Sequence, residues 1–119
     1  MSKESIPRKE ISAPWLQILE DQNQTKTFEG RLNRGFWKNV PIGKTFIGYD
    51  NSSLEVTFEV ISKKIYANAG VAWSELGEKL IPVSYGNSVE EIDELYRKFY
   101  TQDQMDECGF VAVEVKIVK

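Results

Sequence analysis

The stretch Lys26-Thr27-Phe28-Glu29-Gly30-Arg31-Leu32-Asn33 decides how the fold of this chain is interpreted. From its second residue onward, polar side chains alternate with apolar or small ones, which is typical of a strand that buries one face. We therefore predict a strand over residues 27–33. Because successive side chains of a strand point to opposite faces, Glu29 and Arg31 should share one face and Phe28 the other. The strand is thus expected to carry an acid and a base side by side.

Three further strands are predicted along the chain. One strand is predicted over residues 44–49, which are rich in β-branched and aromatic side chains, and it ends at the polar turn over residues 50–52. Residues 54–65 and 109–118 alternate apolar and polar side chains, as half-buried strands do. Residues 81–86 are interpreted as a connection or an additional edge strand.

Three helices are predicted between these strands. Residues 14–21 begin with Pro14, which the first helical turn tolerates, and residues 71–80 form a short second helix. Residues 88–101 form the clearest helix, because Ser88 and Glu91 make a capping box and an apolar stripe follows them. That stripe is expected to be core and consists of Val89, Ile92, Leu95, Tyr96 and Phe99.

Composition limits the chain to one domain. With 119 residues, of which 41% are hydrophobic, the chain can bury one core but not two. Residues 1–12 are polar and lack periodicity, so we expect a flexible N-terminal arm there and a single domain over residues 13–119. Several strands with short helices between them favour an α+β domain in which a curled sheet or small β-barrel carries the core.

The residue types that are rare or missing exclude several functional classes. The chain has no histidine and one cysteine, which argues against Ser-His-Asp and Cys-His catalysis, most zinc sites and an internal disulfide. We therefore expect a site without metal and without cofactor. No apolar run reaches the roughly 20 residues of a membrane span, and no signal peptide is recognisable. A cytoplasmic protein, or a nuclear one, without a membrane partner is expected.

Charge is distributed unevenly along the chain. The net charge of −3 argues against non-specific binding to duplex nucleic acid, which depends on many cationic contacts to phosphate. Residues 24–44 are nevertheless rich in lysine and arginine, and Glu29 is the one acidic residue among them. Residues 90–107, by contrast, are rich in aspartate and glutamate. A basic face and an acidic face are therefore expected.

The opening stretch also resembles a family motif. It follows Pro14-Trp15 and a predicted helix, and residues 26–31 are similar to the Gly-x-Lys-x-x-Glu-x-Arg signature of ASCH domains, which belong to the PUA-like superfamily. Further similarities follow in order at Ile42-Gly43-Lys44, Tyr49-Asp50-Asn51, Tyr66, Tyr96-Arg97-Lys98-Phe99-Tyr100 and residues 109–115. The glycine that precedes the lysine in the family is missing here. The resemblance covers residues 14–118.

This resemblance implies a PUA-like barrel with a cleft between the barrel and its helices, and binding of RNA or modified nucleosides. Some members are hydrolases. One branch deacetylates N(4)-acetylcytidine with a lysine, a threonine and a glutamate, and another is reported as a ribonuclease. In this chain Glu29 stands where the first branch has its threonine, and the later glutamate is either Glu75 or Glu78. Fold alone does not settle function.

Lys26, Glu29 and Arg31 are the candidate residues at the floor of the cleft. Glu29 and Arg31 can form an ion pair, in which the carboxylate accepts from a base and the guanidinium holds phosphate or a carbonyl oxygen. A solvated surface pair worth little is the alternative. Lys26 can contact phosphate, or act as a general base or nucleophile if burial lowers its pKa. Sharing a site with Glu29 requires Lys26 to lie in the turn before the strand.

Aromatic and cationic side chains after this strand form the second group of candidates. Arg34 and Lys38 flank an aromatic pair that includes Trp37, a pattern that holds single-stranded nucleic acid by stacking and charge. Core packing is the alternative for the aromatic rings. Tyr49 and Asn51 are expected to rim the cleft from a turn, although turn chemistry alone also explains an asparagine there.

Three functional hypotheses follow. The first is a module that recognises RNA or a modified nucleoside in a basic cleft. The second is a metal-independent hydrolase, an N(4)-acetylcytidine-type amidohydrolase or a ribonuclease, with Lys26 and Glu29 as catalytic residues. The third is a protein-interaction adaptor whose cleft is filled by side chains. An enzyme needs Lys26 and a carboxylate to converge on one substrate atom, whereas a binding module needs only an open, charged and partly aromatic groove.

Overall fold

A computed structural model describes residues 6–118 of the chain. Within them the strands are β1 (Arg8–Glu10), β2 (Phe28–Leu32), β3 (Thr45–Tyr49), β4 (Glu55–Tyr66) and β5 (Phe110–Ile117). The α-helices are α1 (Trp15–Glu20), α2 (Gly35–Asn39), α3 (Ala69–Leu76), α4 (Val89–Arg97) and α5 (Gln102–Cys108). Two short turns of 3₁₀ helix, Gly77–Lys79 and Val83–Tyr85, lie between α3 and α4.

The strands form one mixed sheet in the order β1-β3-β4-β5-β2. β1 runs parallel to β3, and the other neighbouring pairs are antiparallel. The sheet curls into a half-barrel, and Arg31 in the edge strand β2 donates from Nη2 to the carbonyl oxygen of Glu10 in the edge strand β1, at 2.7 Å. We call the gap between β1 and β2 the seam. The predicted α+β class is confirmed, but the barrel is not closed, because no backbone ladder joins β1 to β2 in residues 6–118.

Both faces of the sheet are covered. On the barrel face, Val111, Val113 and Val115 of β5 join one apolar cluster. On the helix face, Phe110 and Ala112 join a second cluster, to which α3, α4 and α5 contribute. β5 lies inside the sheet, so both of its faces are buried. The alternation predicted for residues 109–118 therefore places side chains of the two faces in two different apolar clusters.

A bulge in β4 changes which residues face the barrel. The register between β4 and β5 shifts at Ile61, which has no partner in β5, as expected where one strand carries an extra residue. Phe58, before the bulge, packs in the barrel cluster, whereas Tyr66, after it, packs in the helix cluster. The regular alternation predicted for residues 54–65 holds only as far as this bulge.

Helix α4 is shorter than predicted, and a further helix follows it. The sequence predicts one helix over residues 88–101, but α4 ends at Arg97 and α5 begins after Thr101. The predicted Ser88 cap is confirmed. The reciprocal bond of the predicted box is not formed, because the carboxylate of Glu91 accepts from the backbone N–H of Asn87 and not from that of Ser88. Thr101 and Gln104 form a complete capping box, which starts α5. This Thr-x-x-Gln pattern is itself a helix-start signal, and the sequence interpretation missed it.

The other predicted elements lie close to their expected positions. α1, β2 and β3 fall inside the predicted ranges. α3 begins at Ala69, earlier than predicted, because the side chain of Asn68 accepts from the backbone N–H of Val71 at 2.9 Å and caps the helix. Residues 81–86 contain a 3₁₀ turn rather than an edge strand.

The N-terminal segment is built into the sheet, in contrast to the predicted flexible arm. Arg8–Glu10 pair with residues 47–49, and the backbone N–H of Ile11 donates to Tyr49 at 2.8 Å. The side chain of Ile11 is 0% exposed and belongs to the barrel cluster. Residues 1–5, the rest of the predicted arm, lie outside the described residues, as does the last residue of the predicted domain.

Candidate functional site

A cavity of about 120 Å³ lies at the seam. One part of its lining, which we call the floor, comes from β2 and the turn before it and consists of Lys26, Glu29, Gly30 and Arg31. A second part, the helix wall, comes from the C-terminal half of α4 and the residues after it and consists of Leu95, Tyr96, Phe99 and Tyr100. The third part connects β1 to α1 and consists of Glu10, Ser12 and Trp15.

Lys26 lies in the turn immediately before β2 and is 3% exposed. Its Nζ donates to the carbonyl oxygens of Phe28 and Leu80, each at 2.5 Å, and lies 4.0 Å from Oε1 of Glu29. Burial lowers the pKa of Lys26 to about 8, although the negative charge of Glu29 opposes this change. Two carbonyl groups thus orient an amine of which about a tenth is neutral at pH 7.

Glu29 and Arg31 form a buried ion pair on the barrel face of β2. Nε of Arg31 donates to Oε2 of Glu29 at 2.7 Å, and the guanidinium lies 4.9 Å from the ring centre of Trp37. Glu29 is 5% exposed, so the alternative of a solvated surface pair is wrong. Because Lys26 and Arg31 both approach one carboxylate, the floor carries more positive than negative charge.

The helix wall approaches the floor at Gly30. A Cβ at that position would lie 2.3 Å from Cζ of Phe110 and 2.7 Å from the hydroxyl oxygen of Tyr96. Only glycine therefore allows the ring of Tyr96 to lie over β2. Burial raises the pKa of Tyr96 well above its ordinary value, and the nearby Glu29 adds to the effect. The phenol consequently keeps its proton at neutral pH.

The opening of the cavity is aromatic as well. Phe99 is 55% exposed, and its ring centre lies 6.5 Å from that of the partly buried Tyr100. The sequence predicts Leu95, Tyr96 and Phe99 to be core residues, which is correct for the buried Tyr96 and wrong for the exposed Phe99. Tyr96 is buried, but all three side chains also line the cavity.

The structure brings together the first group of candidates. Lys26, Glu29 and Arg31 share the floor, because Lys26 does lie in the turn before the strand. Regular strand alternation would have directed Lys26 away from Glu29. The backbone N–H of Thr27 donates to Lys79 at 2.9 Å and anchors this turn.

The second group of candidates does not line the cavity. Trp37 is 7% exposed and packs edge-on against Phe46 in the barrel cluster, so its predicted stacking role is wrong. Arg34 and Lys38 are exposed on either side of it. Tyr49 pairs with Glu10 in the sheet.

Asn51 occupies an exposed turn. The neighbouring Asp50 explains that turn, since its carboxylate accepts from the backbone N–H and the hydroxyl of Ser52. Turn chemistry alone therefore accounts for this segment.

Neither of the later glutamates reaches the floor. Glu75 lies on the surface of α3, where its carboxylate accepts from Lys64 at 2.7 Å and from the hydroxyl of Tyr66, and Glu78 is exposed in the following 3₁₀ turn. Glu29 and Glu10 are the carboxylates that line the cavity. Glu29 was predicted, whereas nothing in the local sequence around Glu10 indicates its position.

Residues 6–118 contain no group of histidine, cysteine, aspartate and glutamate side chains that is arranged to hold a metal ion. None of their helices has the length and apolar content needed to cross a membrane.

Comparison with known proteins identifies the fold. No model of a known protein family matches the chain, and no curated protein matches it. The crystal structure of hypothetical protein PH0355 superposes with a TM-score of 0.74 at 23% identity, covering 93% of this chain and 99% of that one. The solution structure of protein PF0455 from Pyrococcus furiosus gives a TM-score of 0.69 at 20% identity, covering 94% and 98%. The chain thus shares with these two proteins a small α+β fold with a curled, mixed five-stranded sheet.

Proposed function

We propose that this chain is an ASCH-type, PUA-like domain whose seam cavity binds a base of RNA or of a modified nucleoside. The observation that carries the proposal is the cavity itself, which combines a buried Lys26, Glu29 and Arg31 group with aromatic side chains. Small-molecule sites typically combine aromatic or apolar walls with a few convergent polar groups, and this cavity has both. An adaptor with a filled cleft would lack such a space.

The floor offers hydrogen-bonding groups that suit the edge of a base. Oε2 of Glu29 is engaged by Arg31 at 2.7 Å. Oε1 lies 4.0 Å from Nζ of Lys26, which is too far for a hydrogen bond. That oxygen can accept from an exocyclic amino or imino group, and a charged acceptor makes such a bond stronger than a neutral one.

The walls offer surfaces for the plane of a base. Trp15 and the helix wall place indole, phenol and phenyl rings around the floor. Stacking of a base on an aromatic ring contributes about 1–3 kcal/mol and tolerates different bases. In this arrangement the walls hold the base and the floor selects among bases.

The first test is binding of a nucleoside panel by isothermal titration calorimetry. The panel contains adenosine, cytidine, uridine and N(4)-acetylcytidine. We expect at least one of them to bind, and Glu29→Gln to weaken that binding by about tenfold or more, because a hydrogen bond to a charged group contributes about 1.5–3 kcal/mol.

The matched control is Glu59→Gln, which removes a carboxylate outside the cavity that pairs with Lys116 at 3.7 Å. Thermal unfolding of both variants shows whether they remain folded. If no nucleoside binds the wild-type protein, or if both variants bind equally well, the proposal is wrong.

One observation favours the hydrolase as a second candidate. Lys26 has a pKa lowered to about 8 by burial and lies 4.0 Å from a carboxylate, which suits a general base or nucleophile. Against it, Glu29 stands where the hydrolase branch has its threonine, and the hydroxyl of the nearby Thr27 cannot replace it because Thr27 lines a different groove. Mass spectrometry of the same panel after incubation decides between the two, since turnover of N(4)-acetylcytidine that disappears in Lys26→Met would establish hydrolysis.

A further inference from the structure

A positive charge that no carboxylate of the described residues neutralises lies beside the opening of the cavity. Arg34 follows β2 in a tight turn, in which its backbone N–H donates to Leu32 at 2.8 Å. Its side chain is exposed, and no ion pair joins it to a carboxylate in the described part of the chain.

Tyr100 connects this arginine to the cavity. It lines the cavity, where it forms part of the helix wall. Burial raises the pKa of Tyr100, and the positive charges of Arg31 and Arg34 both oppose that rise. The side chain of Tyr100 is also hydrogen-bonded to the backbone of Leu32, the residue to whose carbonyl oxygen the N–H of Arg34 donates at 2.8 Å. Tyr100 therefore lies close to Arg31 at the floor and to Arg34 outside it.

The two guanidinium groups differ in what they can still bind. Arg31 is committed to Glu29 and to the carbonyl oxygen of Glu10, each at 2.7 Å. Arg34 has its full fork of N–H donors available, and such a fork suits a phosphate group. An incoming anion would thus be held by Arg34 without breaking the pair at the floor.

An exposed aromatic ring also lies next to Tyr100. Phe99 is 55% exposed beside Tyr100, and the exposed cations Arg97 and Lys98 precede it in the chain. Exposed aromatic rings among cations are the usual surface on which bases of a single strand stack.

On the basis of the proposed function, we infer that Arg34 and Phe99 form a second subsite, for the phosphate and the neighbouring base of a single-stranded oligonucleotide. The base in the cavity then belongs to a strand and not to a free nucleoside. Arg34 binds the phosphate that links the two nucleotides, and Phe99 stacks on the next base. Arg34 is also a ligand contact predicted from the sequence, but Trp37, the ring expected to act with it, is buried, and Phe99 takes that role in this proposal.

The test compares pentamers of A, C and U, as RNA and as DNA, with the corresponding nucleosides. We expect at least one pentamer to bind tenfold or more tightly than its nucleoside. Arg34→Ala should remove most of this gain, leave nucleoside affinity unchanged, and reduce the slope of log affinity against log salt by about 0.7, the value for one lost contact to a single strand. Phe99→Ala should also weaken pentamer binding.

Lys116→Ala is the matched control, since it removes a cation that lies outside the cavity and pairs with Glu59. If a nucleoside binds but no pentamer binds more tightly, or if Arg34→Ala behaves like Lys116→Ala, the second subsite is refuted while the cavity remains a base site. If no nucleoside binds, the proposed function fails as well. A preference for RNA pentamers over DNA pentamers would show that a 2′-hydroxyl is also recognised.

Discussion

At the scale of single residues, Lys26 combines burial with charge, and the two oppose each other. Its pKa is about 8 in the folded chain, against 10.5 for an ordinary lysine. Below pH 8 the folded and unfolded chains both carry the proton, and the fold bears the full cost of burying the charge. Between pH 8 and 10.5 the folded chain loses the proton while the unfolded chain keeps it. Stability therefore rises with pH across this window.

Lys26→Met removes this titration and keeps an unbranched side chain. Between pH 7.5 and pH 9.5 we expect the free energy of unfolding of the wild type to increase by about 2 kcal/mol relative to the variant, since each pH unit inside the window contributes up to about 1.4 kcal/mol. Urea unfolding at both pH values measures this difference, and the tyrosines with raised pKa values cancel because both proteins contain them. Parallel pH dependences would mean that Glu29 keeps Lys26 charged throughout.

At the scale of elements, β1 shows how a short segment can matter more than its length suggests. It has only 3 residues, but Ile11, which directly follows it, packs in the barrel cluster. Ile11→Ala should destabilise the protein by about 2–5 kcal/mol, the usual range for truncating a buried isoleucine. Ile42→Ala, at a site that is 66% exposed, is the control and should change stability little. Equal effects in urea unfolding would show that β1 does not contribute to the stable core.

The elements that the sequence predicts most clearly are those with a long apolar period. β4, β5 and α4 each repeat their pattern often enough to be recognised, whereas β1 is too short to show alternation. The apolar stripe extends the predicted helix as far as Thr101, which is in fact the N-cap of α5, and α5 itself is not predicted. The bulge at Ile61 has no sequence signal, because its position is set by pairing with β5.

The candidate site likewise has one part that the sequence predicts and another part that it does not. Its floor is local in sequence, so Lys26, Glu29 and Arg31 are recognisable from one motif and their spacing. Its walls come from residues distant in the chain. Leu95 and Phe99 follow the helical stripe of a core helix, and the sequence does not reveal that the seam leaves that stripe partly uncovered.

At the scale of the whole molecule, the half-barrel is held across the seam by a side chain and not by a strand ladder. Arg31→Lys keeps the charge but cannot bond both Glu29 and the carbonyl oxygen of Glu10, because lysine lacks the guanidinium fork. We expect hydrogen exchange at the backbone amides of β1 to accelerate by about tenfold in this variant, while exchange in β4 and β5 stays unchanged. Mass spectrometry of peptic fragments measures both regions.

The control for that experiment is Arg8→Lys, which alters a surface pair with Glu55 whose side chains are about half exposed. Exchange in β1 that responds equally to both substitutions would show that the strand is sensitive to any change nearby, and that Arg31 has no special role at the seam.

The strand order has a consequence for how the chain comes to its structure during synthesis. β2, which carries the floor of the cavity, pairs with β5, and β5 is synthesised after the other four described strands. Until then Glu29 and Arg31 stand on a segment with no neighbour in the sheet, and contacts between parts so far apart in sequence form slowly. The nascent chain should therefore acquire its helices and the β3–β4 hairpin first, and become able to bind a ligand only after residues 110–117 are made.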